Sequence, residues 1–371
     1  MKIIIKKEIL LESLNKVSKA LSTKNLVPAL AGIKFDLKND GLTLTASDND
    51  ITIQNFIPKS EDMTINETGS IIIQGRYILD IVKKIPDKMI NLEVFDETKI
   101  IISTDNSEYN LNGINKRDYP NINLEENKNP IIIDGNSFKN MINQTAFATS
   151  TDESRPQLTG INIKINGDEL ECNATDSYRL ARKIFKLQTM ASDAYNIVIP
   201  SKNLIEYVKI IDGEDIELHV FNNKVLFKTN NLLFQSRLIN GSYPNTSNLL
   251  PKESLVKVNV KINDLYDVID RVSILTSDKE KNIVTLETNG NELTMKSSSV
   301  EIGRVEEKMN ITKDCENDIK ISFSAKFMME ALKVLEGEEA VITFVGEINP
   351  IIIQDKNDLD LVQLVLPIRT Y

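Results

Sequence analysis

The chain has 371 residues, with 44 Lys plus Arg against 54 Asp plus Glu and a net charge of −10. Its length predicts two or three domains, its 41% apolar content supports ordinary buried cores, and its 26% charged content excludes wholesale disorder. No run of about 20 apolar residues occurs, which excludes a helical membrane span.

In chain order, MKIIIKKEILLESL carries charges where a signal peptide would be apolar, so it reads as mature structure and the cytoplasm is the expected compartment. Residues 2–6 read as a strand. Glu8 to Leu21 reads as a helix, with Ile9, Leu10, Leu14, Val17 and Leu21 on one face. After Pro28 come LAGIKFDL and LTLTASD, joined at Asn39-Asp40-Gly41, a hairpin signal, and then the strand ITIQNFIP. The same order recurs in 130–150 with LTGINIKI and LECNATD across Asn166-Gly167. It recurs again in 256–275 with IVTLET and LTMKSS across Asn289-Gly290.

A second unit also occurs three times. It reads IIIQGRYILDIVKKIPDKMINLEV from Ile71, IVIPSKNLIEYVKIIDGEDIELHV from Ile197 and IKISFSAKFMMEALKVLEGEEAVITFV from Ile319. Each is a strand, a helix, a break at Gly or Pro, and a strand. The helices carry a base at Arg76, Lys202 and Lys326, an acid four residues on at Asp80, Glu206 and Glu330, and a base three further on at Lys83, Lys209 and Lys333. That spacing places the charges on one face. The apolar positions Ile78, Leu79, Val82, Ile85, then Leu204, Ile205, Val208, Ile211, then Met328, Met329, Leu332, Leu335 form the other. A repeat of about 125 residues is the size of a small domain. The prediction is three α+β domains at 1–125, 129–250 and 254–371, each of two strand–helix–three-strand halves. Six helices and six small antiparallel sheet segments follow, with polar linkers at 123–129 and 247–254.

The six predicted helix windows together hold more bases than acids, although window 263–281 is itself acidic, and the remainder of the chain is strongly acidic. Lys and Arg opposite phosphates hold nucleic acid without reading its sequence; a solvated charged face is the other reading. No Trp, zinc-finger spacing or aromatic platform points to base readout. Cys172 and Cys315 stand far apart without a C-x-x-C pattern, so neither a disulfide nor a zinc site is expected. The one histidine, His219, lies in IELHV and is expected on a strand surface rather than in a metal site or a triad. Phosphate-binding glycine loops and a G-x-S-x-G elbow are absent from the sequence. In ATDSYRLA (174–181), Asp176 and Arg179 read as a strand-end ion pair beside a groove, with an acid and an anion clamp of an enzyme as the alternative.

ATDSYRLA in the second domain, NGSYPN (240–245) at its end and LVLPIRTY (364–371) at the terminus resemble the bacterial DNA polymerase III beta subunit, the sliding clamp family, and the resemblance runs the full length. It implies three tandem clamp-type domains in a head-to-tail homodimeric ring around duplex DNA, helices inside and sheets outside, without catalysis, cofactor or metal. Ring closure would use Tyr109 and Leu111 against Ile274 and Leu275. The implied partners are the replicative polymerase catalytic subunit, the clamp loader and other clamp-motif replication and repair proteins. Their peptide would enter a groove of Leu158, Thr175, Tyr178, Arg179, Leu180, Pro244, Leu249, Pro350, Leu366, Pro367, Ile368 and Arg369. Lys24, Arg76, Arg155 and Lys202 match positions facing DNA. The chain departs from many members at Ser177-Tyr178, where they have Gly-His, and from some at Asn248, where they have Arg. On the residues alone, a peptide-binding scaffold without DNA and an enzyme using Asp176 and Arg179 remain as alternatives.

Overall fold

The computed structural model describes residues 1–21, 27–249, 254–276, 282–299 and 301–369. The strand–helix–three-strand order appears six times. The first pair is β1 (Lys2–Lys6), α1 (Lys7–Val17), β2 (Gly32–Lys38), β3 (Gly41–Ser47) and β4 (Ile51–Pro58), with β5 (Met63–Glu67) added, then β6 (Gly69–Gln74), α2 (Gly75–Lys84), β7 (Met89–Phe95), β8 (Lys99–Ser103) and β9 (Glu108–Asn112). The second is β10 (Ile131–Ile133), α3 (Gly135–Thr145), β11 (Gly160–Asn166), β12 (Glu169–Thr175) and β13 (Arg179–Lys186), then β14 (Tyr195–Pro200), α4 (Ser201–Val208), β15 (Ile216–Val220), β16 (Lys224–Lys228) and β17 (Leu232–Arg237). The third is β18 (Val256–Lys261), α5 (Ile262–Ser273), β19 (Ile283–Asn289), β20 (Glu292–Ser299) and β21 (Gly303–Asn310), with β22 (Thr312–Lys313) added, then β23 (Lys320–Ser324), α6 (Ala325–Lys333), β24 (Glu339–Phe344), β25 (Ile351–Asp355) and β26 (Asp358–Val365).

Two compact units divide the chain: Met1–Gly135 with Glu206–Leu238, and Asn136–Ile205 with Ile239–Tyr371. The first holds an eight-stranded sheet, β10-β15-β16-β17-β4-β3-β2-β6, and a five-stranded one, β5-β1-β7-β8-β9. The second holds a nine-stranded sheet, β14-β11-β12-β13-β26-β25-β24-β18-β22, and a four-stranded one, β21-β20-β19-β23. The six sheet segments expected from sequence are thus four continuous sheets among the described residues. Two antiparallel seams make them so: Leu232–Ser236 pairs with Asn55–Ile51, and Arg179–Lys183 pairs with Val365–Leu361. Pairing of this kind hides edge backbone groups that would otherwise be open to water or to other chains.

The leading strands cross over between halves. β1 pairs with β7, and β6 with β2; β10 pairs with β15, and β14 with β11; β18 pairs with β24, and β23 with β19. Each half therefore completes the other's sheet, and neither closes its hydrogen bonds alone.

Helix packing follows the apolar pattern. In the three aligned helices, Ile78 and Val82, then Leu204 and Val208, then Met328 and Leu332 are buried, as are Ile85, Ile211 and Leu335 just past the helix ends, while Leu79, Ile205 and Met329 are half-buried at the rim of the stripe. Leu10, Leu14 and Val17 do the same for α1, and each such side chain contributes about 1.5–3 kcal/mol by leaving water. The three hairpin turns differ in one detail. Gly167 and Gly290 occupy the first loop position, at φ 61° and 56°, a conformation that side chains disfavour. Gly41 stands two places later, past the loop and paired with Lys38, where an added Cβ would lie 2.2 Å from the Ile57 carbonyl oxygen. Close strand approach, rather than turn geometry, requires that glycine.

Candidate functional site

The loop between β12 and β13 is held by its own side chains. The Asp176 carboxylate accepts hydrogen bonds from the backbone N–H groups of Tyr178 (2.9 Å) and Arg179 (3.0 Å), and the Thr175 hydroxyl donates to the Arg179 carbonyl (2.5 Å). These bonds hold Ser177 at φ 79°, a left-handed conformation costly to a side chain. Tyr178 is pushed outward and is 62% exposed.

Arg179 is buried and fully engaged. Its guanidinium donates to Asp176 (3.0 Å), to Glu330 of α6 and to the Phe147 carbonyl (2.7 Å). It also stacks between the rings of Phe147 and Phe327, 5.2 and 4.4 Å from their centroids. Two carboxylates and two aromatic faces offset the cost of burying this cation. The arrangement fixes the Phe327 ring and leaves the guanidinium few donors for anything else.

The chain end is laid beside this turn. After β26, the Leu366 N–H donates to the Tyr178 carbonyl (2.9 Å) and the Ile368 N–H to the Ser322 carbonyl (2.7 Å). Pro367, lacking an N–H, stands between them. Tyr178, Leu366, Pro367 and Ile368 then line a cavity of about 610 Å³ with Asn282, Ser324, Lys326 and Phe327. Ser324 caps α6, its hydroxyl accepting the Phe327 N–H, and so sets where the helix presents Lys326 and Phe327.

Four predicted groove residues therefore meet in one cavity. Among the others, Leu158, Thr175, Arg179 and Leu180 are buried, and Pro350 is half-buried. Leu180 packs with Ile352, Val362 and Leu364 beneath Leu366, supporting the tail from behind. Pro244, Leu249 and Arg369 are exposed and outside the cavity lining. The Tyr243 hydroxyl, next to Pro244, accepts the Thr175 N–H (3.0 Å), and Thr246 donates to Asn173 (3.2 Å), so this strip is tied to β12. Sequence reading missed Ser324, Lys326 and Phe327. The only signal for them was their place in the helix repeat.

Of the predicted DNA-facing residues, Arg76 and Lys202 are exposed on the first turns of α2 and α4, and Lys24 lies outside the described residues. Arg155 is exposed and donates to the Ser177 hydroxyl at 3.4 Å. Tyr109 and Leu111 lie half-buried on β9, which ends the five-stranded sheet. Ile274 is 71% exposed at the end of α5, and Leu275 beside it is half-buried. Next to them, a hollow of about 930 Å³ runs from Thr276 to Arg304 and Glu306 on β21, which among the described residues ends the four-stranded sheet.

His219 departs from its expected surface place. It is 1% exposed, and its Nδ1 accepts the Asn127 N–H at 2.8 Å. Lys228 bridges Glu126 (2.7 Å) and Glu217 (3.4 Å) beside it, and Lys224 donates to the Asn123 carbonyl (2.9 Å). Burial pushes the imidazole below its ordinary value against the pull of Glu126 and Glu217. Glu126, Glu217 and His219 have the spacing of a metal triad. The donor set fits poorly, because an imidazole that ligates through Nε2 carries its proton on Nδ1, and here Nδ1 faces a donor while Lys228 is already paired with both carboxylates. The cluster is a strap that pins residues 123–127 to β15 and β16. Cys172 is buried and Cys315 half-buried, both as free thiols.

Comparison with known proteins agrees along the whole chain. The DNA polymerase III beta subunit N-terminal, central and C-terminal domains match residues 1–123, 132–245 and 247–369. The beta sliding clamps of Bacillus subtilis and Staphylococcus aureus are 42% and 39% identical, each aligned over the full length of both chains. The crystal structure of the Bacillus subtilis DNA polymerase sliding clamp superposes with a TM-score of 0.96 at 41% identity, and that of the Streptococcus pyogenes DNA polymerase beta subunit with 0.95 at 30%, both over the whole of each chain. With three domain matches in tandem and relatives aligned from end to end, this chain belongs to the family of DNA polymerase III beta subunits, the beta sliding clamps.

Proposed function

We propose that the chain works as a non-catalytic processivity clamp in the cytoplasm. Two copies close head to tail around duplex DNA, and a replicative polymerase is held by a short peptide in the cavity between Tyr178, Phe327 and the 366–368 tail. The observation that carries the tethering half of this reading is that cavity: an apolar trough beside the Arg179 cage, of a size for two or three side chains. The clamp loader and other clamp-motif replication and repair proteins compete for the same place. The proposed domains are 1–125, 129–250 and 254–371.

Ring closure follows from sheet ends. Among the described residues, β9 and β21 each end a sheet and so offer an open edge to an identical second chain. Tyr109 and Leu111 meet Ile274 and Leu275 at that junction, and two such junctions close a two-fold ring. Arg76, Lys202, Arg155 and Lys24 supply a diffuse field for phosphates. Loose phosphate contacts suit sliding, since base-specific ones would halt it. Asp176 and Arg179 are committed to the turn and the cage rather than to a reaction.

The test is topological. Loaded onto nicked circular DNA, the protein stays bound, and linearising the DNA releases it. Loss from both forms favours a scaffold that does not encircle DNA. Deleting Leu366 to Tyr371 abolishes polymerase binding while the dimer persists, and Leu275→Asp gives monomers by light scattering at micromolar concentration. Unchanged polymerase affinity, or a persistent dimer, moves the corresponding site elsewhere.

A further inference from the structure

Among the described residues, the cavity's lining holds one cation, Lys326. Its walls are Tyr178, Phe327, Leu366, Pro367 and Ile368, and its polar groups are Asn282, Ser324 and Lys326. Ser324 is occupied as the α6 cap, and the Asn282 side chain and carbonyl accept bonds from Thr276 and from the Ala325 N–H. Lys326 is exposed and forms no ion pair among the described residues. The reason lies one helical turn away. Glu330 is placed to pair with Lys326 at i,i+4, but Arg179 draws that carboxylate into the buried cage. Lys326 also stands in the first turn of α6, where no acidic residue accompanies it. A cation there opposes the helix dipole, so it adds nothing to helix stability. The positive end of the α6 dipole and the Lys326 ammonium together form a local positive pole at the rim of an apolar trough.

We infer that Lys326 is a specificity residue: it selects, among peptides whose apolar side chains fill the trough, those carrying a carboxylate beside the apolar anchors. The inference rests on the groove reading above and adds the charge class of its partner. The carboxylate comes from an Asp or Glu side chain or from a peptide C-terminus. Both offer the same acceptor to an ammonium and a helix end.

The test uses the full-length protein and four fluorescent peptides of one length, each with Leu and Phe anchors. They carry Asp or Asn next to the anchors and a free or an amidated C-terminus. The native protein binds an acidic form about three- to tenfold more tightly than the neutral amidated form, the range expected for a rim ion pair plus a helix end, and the gap narrows with added salt. The arm that carries the gap identifies the side chain or the terminus as its source. Lys326→Gln brings the acidic-to-neutral ratio to about one, and Lys326→Glu inverts it. Equal binding of all four peptides by the native protein, or a ratio that survives Lys326→Gln, overturns the inference while the groove stands. No binding of any of them sinks the groove reading itself and this inference with it.

Discussion

Helices α4 and α6 occupy the same place in the repeat and use the same acid differently. On α4, Glu206 is bonded to Lys209 just past the helix end (2.7 Å) and across to Lys19 (3.3 Å). Burial pushes its carboxyl up, but the two lysines outweigh that and hold it below the ordinary range. On α6, the matching Glu330 turns away from Lys326 and enters the Arg179 cage. One copy spends its acid on a surface charge ladder, the other on the wall of a cavity. A duplicated helix thus acquires a separate role through a single partner on another strand, without change to its own charge pattern.

The largest expected effect comes from removing that partner. Arg179→Ala leaves Asp176 and Glu330 without their cation and empties the space between Phe147 and Phe327. Breaking a buried pair in this way costs about 3–5 kcal/mol, read as a lower midpoint in urea, and peptide affinity falls with it because Phe327 loses its backing. An unfolding free energy within about 1 kcal/mol of the native value would show that the cage does not hold the groove. The comparison itself is sharpened by a matched pair. Glu330→Gln loses a charge-assisted bond to a buried guanidinium, about 1.5–3 kcal/mol. Glu206→Gln loses only partly exposed pairs, about 0–1 kcal/mol. Equal losses would mean that the two helices are not used differently.

A third effect is set by pH at the opposite kind of site, the His219 strap. The folded imidazole titrates below its ordinary value of 6.5 because burial favours the neutral ring. The unfolded chain therefore binds the extra proton first. The strap's contribution is complete above pH 6.5 and is lost as pH falls from there through the lower folded value, since a proton on Nδ1 would face the Asn127 N–H. The slope is at most about 1.4 kcal/mol per pH unit. His219→Asn, which keeps an acceptor for that N–H, removes the slope between pH 6.5 and 5 in thermal melts. An unchanged slope would assign it to the carboxylates instead.

Sequence periodicity carried the repeats, the six helices and their buried faces, because these depend on local spacing. The strand exchange between halves and the two seams that join six sheet segments into four sheets were invisible, since β-pairing partners leave no local mark. The same holds within the site. Tyr178, Leu366, Pro367 and Ile368 stood in motifs and met in the cavity. Phe327 and Lys326 sat in a helix whose pattern matched two copies elsewhere, and only Arg179's reach to Glu330 sets them apart. His219 was misplaced for a related reason: a strand's alternation does not reveal that a distant linker, 123–127, will cover one face.

The smallest effect lies at Ser177, the left-handed residue of the turn. Ser177 is held at φ 79° by the two bonds to Asp176 on either side of it and by its own N–H to the Thr175 hydroxyl. Left-handed geometry costs a side chain about 1–2 kcal/mol relative to glycine, while glycine gives back about 0.5–1 kcal/mol through its freer unfolded chain. Ser177→Gly is therefore stabilising by up to about 1 kcal/mol, a shift of a degree or two in melting temperature for a chain of this size. Because Arg155 loses its contact with the Ser177 hydroxyl, the same variant leaves that arginine free in loop 151–156 and raises DNA retention at low salt. A destabilised Ser177→Gly would mean that the hydroxyl's bond to Arg155 outweighs the strain, and would make the loop and the turn a single rigid element.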